Sequence, residues 1–557
     1  NELTLPTQFR STDPIVEYKV EVYKASNVNE TRLLGLQRCP FCKSTNIRVD
    51  INLDDTRIRH ICNECKKEAP IFISDSEIYR YAPSIIVGTV DRLARAGQTS
   101  LFGHLYGKFT GKCPKHGYLS FGECIEPICK VNKNEFIKFS EVYDPTPALL
   151  LQDELHLLKE SLGTYDSHYE TFLDLLSENT GNKLPSKRIA ATATIEGYKE
   201  HIGELYGRDA IRFPVKGRGE SDSAYVEPST SSPTARLYIG IMPTGSNTEE
   251  TVSLILKALK IHALKLTKDK TWSENIVNNY DLGLAYVNEK NTAGNIRSRW
   301  EEIGDMQVLT GDKGMGEVRA VIGRVESDST RHYDDRLRAI VATSVISHGV
   351  DLTRLNFMTF CGMPNHASDY IQASSRVGRS HLGIVFTVFR PDNNRERNIY
   401  QRFYEYHDRL YQLVQPVPIN RFSESSVKRT LSGILSACIL NIVSYQKGIS
   451  LDRAKNFIGA LAEGSITDDE LIVLAKDSYM VDKLNLPGTT IDFFTKLISR
   501  LVKDQRRVIQ DGEKYKTYMN MKPPPVSSLR EVNEQIEFAI EFRSHELLEK
   551  ILAGRKG

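Results

Sequence analysis

No run of 18 or more apolar residues occurs in this chain of 557, so nothing in it reads as a membrane-spanning helix. The first residues, NELTLPTQFR, lack the basic start and apolar stretch of a signal peptide, and the protein reads as cytoplasmic with no membrane association. Neither sign of charge dominates. Lys+Arg 73 against Asp+Glu 71 leaves a net +2, so composition alone does not announce a nucleic-acid binder, and any such binding has to come from a local groove. There is no internal repeat. Also missing is a G-x-x-x-x-G-K-[ST] phosphate loop, whose backbone amides and lysine cradle a nucleotide; GDKGMGEVRA has glycines and a lysine at other spacings.

What is present begins with nine cysteines. Cys39 and Cys42 (CPFC) are followed after nineteen residues by Cys62 and Cys65 (CNEC), two C-x2-C pairs at the spacing of a zinc ribbon. Two disulfides or four free thiols are the alternative, disfavoured in a reducing compartment. A second set, Cys113, His116, Cys124 and Cys129, has the ligand types for another zinc at looser spacing; the alternative is buried thiols beside a surface histidine. His60 reads as a bystander, and Cys361 and Cys438 as core residues. Four protein ligands leave no open position for catalysis, so both sites read as structural.

The length suits about three or four domains. Apolar runs IIVGTV, PALLLQ, RIAATAT, LGLAYVN, RAIVAT, NFMTFCGM and GIVFTVF alternate with helical periodicity, as in YETFLDLLSE and TEETVSLILKALKIHALKL. That alternation is the pattern of an α/β protein with parallel sheets covered on both faces. The stretch GRGESDSAYVEPSTSSP, rich in Gly, Ser and Pro, marks a linker, and after about residue 395 helical patterns take over.

In open parallel sheets, ligands bind beyond the carboxyl ends of the strands. LLLQDELHLL places Asp153, Glu154 and His156 at such an end, where one carboxylate suits the shell of a Mg²⁺ nucleotide and the next suits an attacking water. An N-cap with solvated acids is the bland alternative for the stretch alone. ATAT follows the next strand, VATSVISHGVD a later one, and QASSRVGR offers Gln372 with Arg376 and Arg379, three apart on one expected helical face. Arginines offered from a separate domain neutralise charge that develops on a transferring phosphoryl group.

In order, DELH, TAT, ATSVISHGVD and QASSRVGR resemble motifs II, III, V and VI of superfamily 2 helicases, over roughly residues 80 to 395. IIVGTVDRLA looks like that family's motif on the nucleic-acid track, and LAYVNEK like motif IV. LLLQDELHLLKESLGTYDSHYE, the upstream cysteines and the tail PPPVSSLREVNEQ look like the helicases of DISARM bacterial anti-phage systems.

The resemblance implies tandem RecA-like domains with a zinc-binding insertion and a helical C-terminal domain. The expected divisions are 1–80 with the zinc ribbon, 81–216 as the rest of the first RecA-like domain, 217–235 as linker, 236–395 as the second RecA-like domain and 396–557 as the helical domain. It implies ATP, Mg²⁺ and Zn²⁺ as cofactors, DNA as the track with little sequence preference, and a companion subunit of the DrmB type. By the same resemblance Asp153 and Glu154 serve metal and water, and His156 and Gln372 link the domains. Thr192 and Thr194 couple hydrolysis to movement. Gly349 and Asp351 touch nucleotide and nucleic-acid backbone, Thr89, Arg92 and Thr343 contact the tracked strand, and Arg376 and Arg379 are arginine fingers. The motifs do not separate DNA from RNA.

The missing phosphate loop is the departure from the family. Because the chain starts with Asn and motif II lies past residue 150, the expectation is a segment upstream that carries the loop, in preference to a motor that has lost hydrolysis. The competing function is a zinc-stabilised DNA-binding or scaffold subunit with an idle motor fold. A nuclease ranks lower, since no paired-carboxylate and lysine constellation stands apart from the motor motifs.

Overall fold

The computed structural model describes residues 36–529 except 37, 53–56, 128, 182–185, 193–196, 216–224, 226–234, 270–273, 301–304, 312–314, 329–330, 332–334, 344–353, 380, 415–418, 485, 511–516 and 518–520. Thr194, Gly349, Asp351 and nearly all of the expected linker therefore lie outside the described residues. The chain divides into two compact units, Asn1–Ala191 with Lys199–Asp209 and Pro418–Gly557, and Thr192–Tyr198 with Ala210–Val417.

The first unit opens with an antiparallel sheet of β1 (Ile47–Asn52), β2 (Arg57–Cys62) and β3 (Glu68–Ala69). Helix α1 (Asp75–Tyr81) starts at a capping box in which Ser74 and Glu77 satisfy each other's backbone N–H groups. Glu77 also accepts from the Ile58 N–H at 2.8 Å, which ties the helix to β2. Two 3₁₀ helices follow, Val90–Gly97 and Ser100–Tyr106, then a small sheet of β4 (Gly111–Cys113), β5 (Gly117–Tyr118) and β6 (Ile137–Lys138).

Strand β7 (Leu149–Gln152) pairs in parallel with β8 (Lys187–Ala190), and helix α2 (Glu160–Glu178) lies between them in the chain; α3 (Tyr198–Tyr206) comes next. One face of this pair packs on α2, where Arg188 bonds Glu170 at 2.9 Å and Asp174 at 2.8 Å. Among the described residues the other face is uncovered: Leu149 is 49% exposed, Leu151 65% and Ile189 45%. The leucines of this strand are therefore not the fully buried core that their sequence led one to expect. IIVGTV is likewise not a strand. Residues 85–89 have no ladder partner among those described, and Ile85 and Val87 are 84% and 90% exposed. Lacking a neighbour to satisfy its backbone, an apolar run gains nothing from strand geometry.

The second unit is built on six parallel strands in the order β11-β12-β10-β13-β14-β9. Their spans are β9 (Arg236–Ile241), β10 (Gly283–Val287), β11 (Met306–Leu309), β12 (Ala339–Ala342), β13 (Phe357–Cys361) and β14 (Gly383–Val388). The intervening helices are α4 (Thr248–Asp269), α5 (Glu274–Tyr280), α6 (Lys290–Ser298), α7 (Met315–Ser327) and α8 (Ala367–Ser374), with α9 (Asn394–Gln401) and α10 (Phe403–Asp408) after the last strand. Side chains alternate between two cores. Leu284, Tyr286, Ile340 and Phe360 meet α7 and α8 on one face, while Ala285, Val287 and Val341 meet Val252, Leu256 and Ile296 of α4 and α6 on the other. This is the doubly wound sheet expected of a RecA-like lobe. At the amino ends of its strands, buried Asp281 takes Arg336 at 3.0 Å and Arg354 at 2.6 Å, leaving the carboxyl ends for chemistry.

Helices α11 (Glu424–Cys438), α12 (Ser444–Lys447), α13 (Ala454–Ala462), α14 (Asp468–Ser478) and α15 (Gly488–Gln510) complete the first unit; a π-helical segment, Ile439–Val443, joins α11 to α12. They share one core with residues of α1, α2 and the 3₁₀ helices, including Phe102, Tyr169, Phe172, Ile434 and Ile498. The helical last third is thus divided, with α9 and α10 packing on the second unit's sheet. The continuous stretch Glu424–Lys447 is long and apolar enough to cross a bilayer by composition, yet 89% of its most apolar window is buried in this core.

The helix α2 is buried almost throughout, polar side chains included. His168 donates from Nε2 to the Arg421 carbonyl at 2.8 Å, and its Nδ1 lies 2.8 Å from Thr430 Oγ1. Burial, with the Arg421 guanidinium nearby, lowers its pKa to about 3, so it stays neutral. A group that binds its proton only when unfolded loses stability as pH falls below its unfolded pKa of about 6.5. The prediction is that the stability advantage of the natural chain over His168→Gln shrinks by about 2 kcal/mol between pH 7 and pH 5, measured by denaturant unfolding.

Candidate functional site

The acidic loop grows directly out of the β7 and β8 pair. Ala191 N–H bonds the Gln152 carbonyl at 2.8 Å, extending the ladder, and Leu155 N–H returns to the Ala191 carbonyl at 2.9 Å. The loop is thereby clamped to the end of β8, immediately before Thr192. Leu155 and Leu158 anchor in the core at 3% and 2% exposure, while Asp153 stays exposed. Asp153 Oδ1 accepts the Glu154 N–H at 2.9 Å.

Glu154 has φ +51°, the left-handed region that residues other than Gly, Asn and Asp avoid, at a cost of about 1 kcal/mol. This conformation turns the chain into the 3₁₀ turn Leu155–Leu157. His156 is buried, and its Nδ1 lies 3.4 Å from Glu154 Oε2, which is held between a fixed ring and solvent. Two neighbouring carboxylates at the carboxyl end of a parallel strand, one exposed and one oriented, can hold a hydrated divalent cation and polarise a water.

The remaining expected residues are distributed as follows. Thr89 is exposed at the start of the 3₁₀ helix Val90–Gly97, where its carbonyl accepts the Arg92 N–H at 2.9 Å. The Arg92 guanidinium is 3.0 Å from Asp75. This helix is fixed by residues no motif signalled. Asn441, in the π-helical segment, accepts from Gly103 N–H at 2.8 Å and donates to the Ala96 carbonyl at 2.7 Å, and Ser436 donates to the Gly97 carbonyl at 2.7 Å. Gly97 lies so close to Gly433 that an added Cβ would stand 2.7 Å from its carbonyl oxygen.

In the second unit, Thr343 caps β12, its N–H bonded to the Leu309 carbonyl at 3.1 Å, and Gln372 is buried in α8. Arg376 and Arg379 are not on one helical face. Helix α8 stops at Ser374, Arg376 sits in the following turn, and Gly378 at φ +78° reverses the chain ahead of exposed Arg379. The structure therefore brings Asp153, Glu154 and His156 together in one unit and places Thr343, Gln372, Arg376 and Arg379 in the other.

Both cysteine sets converge. Cys39 and Cys65 sulfurs are 3.6 Å apart and those of Cys42 and Cys62 3.5 Å, with all four within 4.8 Å of one another. Sulfurs at about 2.3 Å around a tetrahedral zinc stand about 3.8 Å apart, whereas a disulfide needs about 2.05 Å. The two knuckles are built alike. Lys43 N–H bonds the Cys39 carbonyl and Lys66 N–H the Cys62 carbonyl, both at 3.0 Å, and both lysines have positive φ, 64° and 60°. The Cys42 backbone N–H brings the Cys39 thiol down to about 6, and the Cys65 N–H lowers Cys62, so each knuckle favours one thiolate.

In the second set His116 Nδ1 is 3.6 Å from the Cys113 sulfur and 3.3 Å from that of Cys124, and Cys129 is 3.9 Å from Cys113. Burial pushes the Cys124 thiol up to about 12, a proton that a metal would displace. A buried ion pair between Arg80 and Glu126, 3.1 Å, fastens this loop to α1. Both sets fit a closed four-ligand zinc site.

Residues 279–381 match the family model of the helicase conserved C-terminal domain, which covers β10 through α8 and the turn carrying Arg376 and Arg379. The expected resemblance to superfamily 2 helicases holds. More particularly, the chain is 30% identical over 436 residues, 72% of its own length, to the DISARM protein DrmA of Bacillus paralicheniformis; it spans 38% of that relative. Among solved structures, the DUF1998 helicase MrfA bound to DNA and AMPPNP is similar at TM-score 0.38, 15% identity, 57% of this chain and 40% of that one. The Mycobacterium smegmatis helicase Lhr bound to ssDNA and AMP-PNP is similar at TM-score 0.38, 13% identity, 62% of this chain and 37% of that one. Strand order and pairing, not these partial superpositions, define the fold.

The metal geometry generates a direct expectation: titrating metal-free protein with Zn²⁺ ends at two equivalents. It ends at one after Cys62→Ser, and again at one after Cys124→Ser. Two equivalents in either variant would show that these thiols are not ligands.

Proposed function

We propose that the chain is the motor portion of an ATP-dependent DNA translocase or helicase serving anti-phage defence. The observation that carries the reading is the loop after β7, where exposed Asp153 and oriented Glu154 stand side by side at the carboxyl end of a parallel strand. In this reading Asp153 holds the hydration shell of Mg²⁺, Glu154 activates the attacking water, and buried His156 fixes the Glu154 carboxylate. Thr192 and Thr194 follow β8 and pass movement of that edge onward. Arg376, Arg379 and Gln372 of the second unit, with Gly349 and Asp351 of its motif, serve the nucleotide in this reading, as the resemblance implies. Thr89, Arg92 and Thr343 hold the phosphates of the tracked DNA, a role consistent with the rigid seat of the 3₁₀ helix on Asn441 and Gly433. Zn²⁺ on the two cysteine sets braces the first unit.

A phosphate loop is not found in these residues, and β7 with β8 leaves an apolar face uncovered. Parallel sheets are covered on both faces. The reading therefore includes a further polypeptide segment that covers this face and brings the loop, and a companion subunit of the DrmB type. The idle-motor scaffold is the alternative that the missing loop favours.

The test is ATP hydrolysis by the natural polypeptide, with and without DNA. DNA-stimulated turnover is expected, and Glu154→Gln is expected to lower it about 10²- to 10⁴-fold. Equal, negligible rates for both proteins, with and without DNA, would establish the scaffold instead.

A further inference from the structure

Helix α15 carries two features that no motor motif uses. Its inner side is core: Phe494, Ile498, Val502 and Ile509 are 5% exposed or less. Its outer side bears Phe493, 47% exposed, followed by exposed Lys496, Arg500, Lys503 and Arg507. At about 100° per residue these five fall within an arc of about 80°, and at 1.5 Å per residue they form a line about 21 Å long. We propose that this face of α15 binds single-stranded nucleic acid, with Phe493 stacking on a base and the four cations following the phosphates.

The aromatic end is a braced platform. Phe493 and Phe494 have ring centroids 5.1 Å apart, and Phe494 meets Phe422 edge-on at 5.4 Å. These three rings with Thr489, Thr490 and Glu424 line a cavity of about 360 Å³. The ring is supported from within and open outward, the form of a stacking site, and Thr489 and Thr490 line the same cavity beside it.

The cationic end keeps most of its charge available. Lys496 and Lys503 have no ion pair among the described residues. Arg500 and Arg507, 82% and 73% exposed, share one carboxylate, Asp504, at 3.8 and 3.9 Å. Pairs that long and that exposed contribute little and yield readily to a phosphate. Of the opposing charges at the cavity, Glu424 is paired with Lys428 at 2.8 Å.

A duplex offers no free base face to an exposed ring, so the surface selects unpaired strands. It does not suit a bilayer, because the apolar side of the helix is already inside the core and a single ring faces outward. The inference does not rest on the motor reading, since none of these residues belongs to a motif of that reading.

The experiment is fluorescence anisotropy of labelled oligothymidylate with the full chain and no nucleotide, across a salt series. Parallel arms use an oligouridylate, a duplex of equal length and phosphatidylserine vesicles. Phe493→Ala is expected to weaken binding about 5- to 150-fold. Replacing Lys496, Arg500, Lys503 and Arg507 with Gln is expected to flatten the slope of log affinity against log salt by up to about 3. Both changes are at exposed positions, and circular dichroism checks that the fold is kept. Binding of either single strand with these losses supports the proposal. Unchanged affinity and slope in both variants, or preference for duplex or vesicles, overturns it. ATP turnover is not read, so failure of the motor reading and failure of this one remain separate results.

Discussion

The requirement that a buried helix satisfy its polar groups organises the first unit. Helix α2 follows the acidic loop and is enclosed on nearly every side, yet it carries Thr164, Ser167, His168, Glu170, Thr171 and Asp174 in the interior, together with Asp166, whose carboxyl has no hydrogen-bond partner among the described residues and is pushed well up by burial toward its neutral form. An unpaired buried polar group costs about 1–3 kcal/mol, so partners have to be supplied from elsewhere. Arg188 of β8 supplies Glu170 and Asp174, and Ser478 of α14 accepts from Thr171 at 2.5 Å. His168 reaches Arg421 and Thr430. These bonds run from a strand on one side to helices late in the chain on the other. They explain why residues after 418 fold with residues before 191.

That arrangement has a functional reading. The loop of Asp153, Glu154 and His156 stands between β7 and α2, so its position is set by the same bonds. The 3₁₀ helix after Thr89 is set by α11 and the π-helical segment, through Gly433, Ser436 and Asn441. Under the proposed function, catalytic loop and nucleic-acid loop share one rigid support, and the late helices are part of the motor's frame.

The second unit was legible from the sequence because fully buried parallel strands are continuous apolar runs. LGLAYVN, RAIVAT, NFMTFCGM and GIVFTVF became β10, β12, β13 and β14. RLYIGI and MQVL, both at sheet edges, are hard to tell from loops by sequence, since each is short and carries a polar residue, Arg236 or Gln307, in place of a continuous apolar run. The cysteine sets were legible because ligand spacing is a local property. The αL lysines Lys43 and Lys66 were not, since left-handed geometry there is imposed by the knuckle and not by residue type. IIVGTV misled because hydrophobicity shows that a segment wants cover and does not show whether a partner strand is beside it. QASSRVGR misled because the helix stops at Ser374, before either arginine, and Gly378 then turns the chain, whereas helical periodicity is judged on side chains alone. The division of the late helices between two units depends on contacts hundreds of residues apart, such as His168 with Thr430, and no local pattern encodes them.

The central claim is that Asp153 and Glu154 face a metal-bound nucleotide. The most direct measurement is electron paramagnetic resonance of Mn²⁺ with a non-hydrolysable ATP analogue, added to the natural polypeptide and to its Asp153→Asn variant. The account predicts a nucleotide-dependent bound Mn²⁺ signal in the natural protein, weakened at least tenfold in affinity by the substitution. Equal Mn²⁺ affinity in both proteins, with or without nucleotide, would contradict it.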